Sequence, residues 1–212
     1  VRHVAQAIAE ILLENVTTSN SQSADAPLAV VGFDTRFLSD RYAWAVSEVL
    51  AGNGLRVALT KADAPTPVVS YAIPHMNAAG GVMITASHNP PEYNGLKFSP
   101  AWGGPALPET TKDIETRANA LLDKSSIAAM PLAEAKQKGL VDDADLRKSY
   151  LDDLRKKVDL EAIKKAKLKV AIDLLYGTGR DYLDTVLKDA GCTVTVIHGH
   201  RDALFGGRSP EP

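Results

Sequence analysis

The segment Gly80 to Phe98 constrains the fold more than any other part of the 212-residue chain. A β-rich run, Val82 to Thr85, stops at Ala86-Ser87, and turn-forming residues come next without a break: His88, Asn89, Pro90, Pro91. The run reads as a strand, and the turn-forming stretch as a loop held stiff by two prolines. Asn94-Gly95 is a turn dipeptide, so a second strand, Gly95–Ser99, is expected after the turn. A serine hydroxyl is thereby placed at the C-terminal tip of a strand. Ligand sites of α/β sheets lie at such tips, on loops carried by a rigid scaffold.

The residue types narrow the chemistry. The Asn94-Gly95 turn is expected to bring Lys97 beside Ser87. An ammonium is a compact positive charge suited to a phosphate-carrying serine. It suits an acyl nucleophile less well. The esterase elbow Gly-x-Ser-x-Gly needs its glycines for a sharp turn, and Ser87-His88 is framed by Ala86 and Asn89 instead. Sequence adjacency does not make His88 a partner of Ser87, because neighbours in extended backbone point to opposite faces. His88 is expected to point away or to contact substrate. A bare Ser-His-Asn-Pro also fits an ordinary loop with Asx-turn chemistry, and a lone Lys97 fits a solvated strand lysine.

Strand–helix alternation along the rest of the chain argues for α/β layers. Leu28 to Asp34 reads as a buried strand ending in a polar turn. Ser39 is the expected N-cap of a helix over Arg41–Leu50. A strand over Arg56–Thr60 comes next, then a helix from Thr66-Pro67 to Asn77, and a helix over Pro108–Lys124 closes the first unit. Asn15 to Pro27 reads as a surface loop and Ser125 to Gly139 as a connector. Asp145 to Lys167 is charged and helical. Lys169–Asp173, a glycine turn at Tyr176–Arg180, a helix over Asp181–Ala190 and a strand over Cys192–Ile197 make a βαβ unit. Gly177-x-Gly179 has Tyr182 where a dinucleotide fingerprint needs its third glycine, so that motif fails.

The run Thr85-Ala86-Ser87-His88-Asn89-Pro90, continued by Pro91 through Lys97, resembles the phosphoserine signature of the α-D-phosphohexomutases, the phosphoglucomutase/phosphomannomutase superfamily. Gly32-Phe33-Asp34-Thr35-Arg36 resembles the family's Gly-x-Asp-x-Arg segment. The tail Asp202 to Pro212 resembles a segment of its second domain. The resemblance implies a three-layer α/β/α domain with a mixed sheet over residues 1–134, then part of a second similar α/β domain over 145–212. It implies a phosphotransferase that interconverts hexose 1-phosphate and hexose 6-phosphate through a bisphosphorylated sugar. Ser87 would carry the phosphate, with Lys97 and His88 as catalytic partners and Asn94 and Arg36 as substrate-binding residues. Arg36 could also brace the serine loop, and a plain Asp–Arg pair at a helix start is as open as direct substrate contact. Mg²⁺ would be held in part by the Ser87 phosphate, and glucose 1,6-bisphosphate or a similar compound would be the activator. Phosphoglucosamine mutase, or a non-catalytic phosphosugar-binding fragment, is the alternative.

The family's Asp-x-Asp-x-Asp-Arg metal loop has no match in the sequence. Asp142-Asp143-Ala144-Asp145 and Asp152-Asp153 read as helix capping and a solvated face. The chain is therefore expected to be an N-terminal portion of a mutase that turns over poorly or not at all alone. With 24 Lys and Arg against 26 Asp and Glu, no basic stripe points to nucleic acid. The single cysteine, Cys192, excludes an internal disulfide and suits the cytoplasm. No segment approaches transmembrane length or has a signal-peptide pattern, so no membrane partner is expected. Oligomeric state is left open.

Overall fold

The computed structural model describes residues 1–18, 26–122 and 127–211. In chain order the first unit contains α1 (Arg2–Thr18), β1 (Leu28–Phe33), α2 (Ser39–Gly52), β2 (Arg56–Thr60), α3 (Thr66–His75), β3 (Gly80–Ile84), β4 (Leu96–Pro100), α4 (Pro108–Ala120), α5 (Leu132–Gln137) and β5 (Val141–Ala144). After these come α6 (Arg147–Lys157), α7 (Leu160–Ala166), β6 (Lys169–Asp173), α8 (Leu183–Asp189) and β7 (Thr193–Ile197).

The central strands β1, β2 and β3 are nearly all apolar because helices cover both faces of their sheet. They run parallel within the strand order β4-β3-β1-β2-β5. β4 returns antiparallel along β3, setting Lys97 opposite Met83 and Leu96 opposite Ile84, so the sheet is mixed. On one face, Ile8 and Leu12 of α1 and Val46 and Leu50 of α2 pack with Val31 and Val82. On the other, Val69 and Ile73 of α3 pack with Val30 and Met83. The result is the expected three-layer arrangement. In the second unit, β6 and β7 pair in parallel, with α8 between them in sequence.

The path β1–α2–β2 steps one way across the sheet. The path β2–α3–β3 steps back past β1, with α3 on the opposite face from α2. Such a reversal opens a crevice beyond the C-terminal ends of the two strands that flank it. Those ends are β1 and β3, so the turn after Phe33 and the loop after Ile84 are neighbours. The Asp34 amide donates to the Ile84 carbonyl at 3.0 Å.

Several expectations need correction. Asp142-Asp143-Ala144 is a strand, not helix capping. It pairs with β2 as an edge strand, and charged residues are a common device for blunting such edges. β5 thus lies beyond residue 134, the expected end of the first unit, yet joins its sheet. The capping reading holds only for Asp145, whose carboxylate accepts the Arg147 amide at 3.1 Å. The charged stretch to Lys167 is two helices, because Asp159 interrupts it and caps α7 by accepting from the Ala162 amide. Part of the expected connector is helical, as α5. The expected loop from Asn15 begins inside α1, and residues 19–25 lie outside the described residues.

Gly81 lies where α3 crosses the sheet. A Cβ there would stand 2.7 Å from Ile73 Cδ1 and 2.8 Å from the Val30 carbonyl oxygen. Gly81→Val is expected to lower stability by about 1–3 kcal/mol, the range for overpacking, in urea denaturation. An unchanged midpoint would mean that α3 does not press on β3 as described.

Candidate functional site

Ser87 is exposed at the tip of β3, with φ at 58°. This left-handed conformation is uncommon outside glycine and unfavourable by about 1–2 kcal/mol. Surrounding contacts must therefore impose it. Within the loop, the Ser87 amide donates to Thr85 Oγ1 at 3.0 Å and the Asn89 amide to the Ala86 carbonyl at 3.0 Å.

The larger constraint comes from the turn after β1. Arg36 is 0% exposed, and its guanidinium reaches across the crevice. Nη1 donates to the carbonyls of Pro90 at 2.6 Å and Tyr93 at 3.1 Å. Nη2 donates to those of Ser87 at 2.9 Å and Asn89 at 2.6 Å. Nε donates to Asp34 Oδ2 at 3.2 Å, which engages every N–H the side chain has. Asp34 Oδ1 accepts from the Arg36 amide at 3.0 Å and from Ser39 Oγ at 2.8 Å. Asn94 Nδ2 donates to that same Ser39 oxygen at 2.8 Å, tying the far end of the loop to the start of α2.

These contacts revise three expectations. Arg36 takes the loop-bracing role rather than substrate contact and has no N–H left for a ligand, and Asn94, expected to bind substrate, ties the loop to α2 instead. Ser39 is the first residue of α2 and makes no capping bond; its hydroxyl joins Asp34 to Asn94. His88 does not point away, for its Nδ1 lies 3.4 Å from Ser87 Oγ. The opposite-face argument assumes extended backbone, and Ser87 is in a left-handed turn.

Ser87 and His88 line a cavity of about 360 Å³. Asp34, Thr35, Thr66, Met83 and Thr85 complete its first-unit wall. Leu174, the Gly177–Gly179 turn and Phe205 form the second-unit wall. Lys97 is exposed, has no hydrogen bond or ion pair among the described residues, and lines a larger neighbouring cavity of about 590 Å³. Thr66 and Met83 line both cavities. Lys97 thus shares a wall with the serine cleft but does not touch Ser87.

The second unit is pinned beside this cleft. Arg180 Nη2 meets Asp63 Oδ2 at 2.5 Å, and Nη1 donates to the carbonyls of Tyr176 and Gly177. Tyr71, Tyr150 and Tyr182 pack edge to face along the seam, and burial pushes the Tyr182 phenol up to about 12. The Phe205 ring lies 5.3 Å from the Arg36 guanidinium carbon. Asp202 holds the turn that presents Phe205. The Leu204 and Gly206 amides that donate to its carboxylate keep it below the usual carboxylate range.

The described residues do not make a Mg²⁺ site. They contain no group of three acidic, histidine or cysteine side chains able to hold a metal. Both oxygens of Asp34, the carboxylate in the cleft wall, are already taken. A phosphate on Ser87 would contribute oxygens, but a hard divalent ion needs several more.

The family model described as phosphoglucomutase/phosphomannomutase, alpha/beta/alpha domain I, matches residues 1–124, and the one for domain II matches residues 148–212. The chain belongs to the α-D-phosphohexomutase superfamily. A phosphoglucomutase/phosphomannomutase of Thermococcus kodakarensis is 34% identical over 92% of this chain and 41% of its own length. A phosphoglucosamine/phosphogalactosamine mutase of Sulfurisphaera tokodaii is 34% identical over 86% of this chain and 39% of its own. A crystal structure from Thermus thermophilus, assigned there as a phosphomannomutase, superposes with a TM-score of 0.83 at 37% identity. The match covers 100% of this chain and 44% of the other. The chain thus spans about two fifths of the length of these phosphohexomutases.

Two residues of this phosphohexomutase loop architecture escape sequence reasoning. Thr85 reads as the end of a strand, yet its hydroxyl accepts from the Ser87 amide. Phe205 lies far from Ser87 in sequence, and only the tail's likeness to a second-domain segment hints at its position.

Arg36→Met would leave Asp34 Oδ2 and the loop carbonyls of Ser87, Asn89 and Tyr93 without their donor. Loss of one partner of a buried ion pair costs about 3–5 kcal/mol, and a drop of that size is expected in chemical denaturation. A loss below about 1 kcal/mol, the range of an exposed pair, would contradict the clamp.

Proposed function

We propose that the full-length protein is a phosphohexomutase that interconverts hexose 1-phosphates and hexose 6-phosphates, with Ser87 as the phosphate carrier. The observation that carries this reading is the exposed Ser87 hydroxyl on a clamped loop at the sheet's crevice. The names of the relatives support the same activity.

In the proposed reaction the phosphate on Ser87 Oγ passes to a free hydroxyl of a sugar monophosphate. The Oγ–P bond breaks, a P–O bond to the sugar forms, the sugar hydroxyl gives up its proton, and Oγ takes one up. The bisphosphorylated sugar then returns its other phosphate to Ser87 by the reverse steps. His88 Nδ1, 3.4 Å from Oγ, is positioned to give the proton to Oγ and take it back. The clamp fixes the direction in which Oγ presents its phosphate, and position counts heavily in such transfers. Lys97 is proposed to meet the phosphate of an arriving sugar, its ammonium having no protein partner among the described residues.

Mg²⁺ is proposed for the full-length enzyme on the family resemblance, as a source of charge stabilisation for the transferring phosphate. The described residues supply no carboxylate set for it, so none of these steps runs through the ion. Glucose 1,6-bisphosphate or a similar compound is the proposed activator, loading Ser87. Glucose and mannose phosphates are the proposed substrates. Glucosamine phosphate is the alternative, because relatives named for either sugar class match at the same identity. No helix among the described residues is long and apolar enough to cross a membrane; the cytoplasm is the proposed location.

Full-length protein incubated with Mg²⁺ and glucose 1,6-bisphosphate is expected to yield a phosphopeptide with the phosphate on Ser87. Ser87→Ala should lower mutase turnover on the order of 10³-fold or more, as loss of a nucleophile does. An unmodified Ser87 after treatment with glucose, mannose and glucosamine bisphosphates would overturn the proposal.

A further inference from the structure

Two strained residues meet on one guanidinium. Ser87, at φ 58°, gives Arg36 its carbonyl. Phe205, at φ 52°, lays its ring against the same group, with 5.3 Å from the guanidinium carbon to the ring centroid. Positive φ in a bulky side chain is an outlier, and such strain persists only where surrounding contacts impose it. At Phe205 those contacts are visible. The Asp202 carboxylate accepts from the Leu204 amide at 2.9 Å and the Gly206 amide at 3.0 Å. Gly206 sits so close to Tyr176 that a Cβ would lie 2.6 Å from the ring. The turn is thus wedged between its own carboxylate and the segment after β6, leaving Phe205 only 6% exposed.

A guanidinium held in its plane by acceptors still has two open faces. An aromatic ring over one face attracts the charge and excludes water, and hydrogen bonds strengthen as the local dielectric falls. We infer that Phe205 is a positioning residue for Ser87: by covering Arg36 it tightens the clamp and couples docking of the second unit to the geometry of the phosphate carrier. The inference rests on the phosphocarrier reading of Ser87.

The test uses the full-length protein and two readouts, amide hydrogen exchange of the segment Thr85–Asn94 and steady-state mutase kinetics with glucose 1-phosphate. Phe205→Leu removes the ring and is expected to speed exchange in that segment about tenfold, the loss of one desolvated cation–π contact. It should lower kcat about tenfold with KM changed less than about threefold, because the contact positions the carrier and does not bind the sugar. Phe205→Tyr keeps the ring and should restore both readouts towards wild type. Asp202→Asn keeps the ring but loosens its turn, and should raise exchange in Thr85–Asn94 by a smaller factor; it serves if Phe205→Leu fails to fold. Wild-type exchange and kcat in Phe205→Leu would overturn the inference. So would equal losses in Phe205→Tyr and Phe205→Leu, or unchanged exchange in Asp202→Asn where that variant stands in. A wild-type protein without mutase activity or phosphate on Ser87 would instead overturn the phosphocarrier reading, while the exchange results would still decide whether Phe205 governs the loop.

Discussion

Arg36 has no contact with solvent and no spare donor, and the serine loop takes its shape from that fact. Four loop carbonyls, from Ser87, Asn89, Pro90 and Tyr93, turn inward onto one guanidinium. A loop at a sheet tip would otherwise give those carbonyls to water. The inward turn forces Ser87 into left-handed backbone and leaves its side chain outside, exposed, next to His88. Lysine in place of Arg36 would have only three donors and no planar fork, and it could not hold this loop. The charge is balanced locally by Asp34, which Ser39 and the Arg36 amide hold in turn. Remove Asp34, and Arg36 Nε and the Ser39 hydroxyl lose the acceptor they share.

The topology explains why this residue and not another holds the loop. Reversal of the winding direction at β1 puts the ends of β1 and β3 side by side. The segment after β1 is then the natural anchor for the loop after β3. The second unit adds a wall to the cleft and, through Phe205, a cover over the anchor. Arg180 on Asp63 and the tyrosine seam hold that unit in register with the first. The cleft is therefore a joint product of two units whose sequences meet only at a distance.

Much of this is legible in the chain. The strand–loop–strand over Gly80–Phe98 comes from an apolar run, two prolines and Asn94-Gly95, all local signals. The Thr85–Pro90 signature points to the family on its own. Strand β5 escapes sequence reading because Asp142 and Asp143 look helical or solvated by composition. Only pairing with β2, a long-range fact, makes them an edge strand. The roles of Arg36 and Asn94 stay open or misleading in the sequence, which reveals residue type but not which donors are already used. The placement of His88 is equally hidden, because positive φ at a serine leaves no trace in the sequence. Phe205 is unreadable for a simpler reason: its partner is Arg36, and nothing local connects them.

The most direct test is a high-resolution crystal structure of the full-length protein with phosphate on Ser87. The account predicts positive φ at residue 87, the phosphate projecting into the cleft, and the Arg36 side chain still bonded to the four loop carbonyls without touching the phosphate. A Ser87 in extended backbone, with Arg36 withdrawn from the carbonyls and bonded to the phosphate, would contradict it.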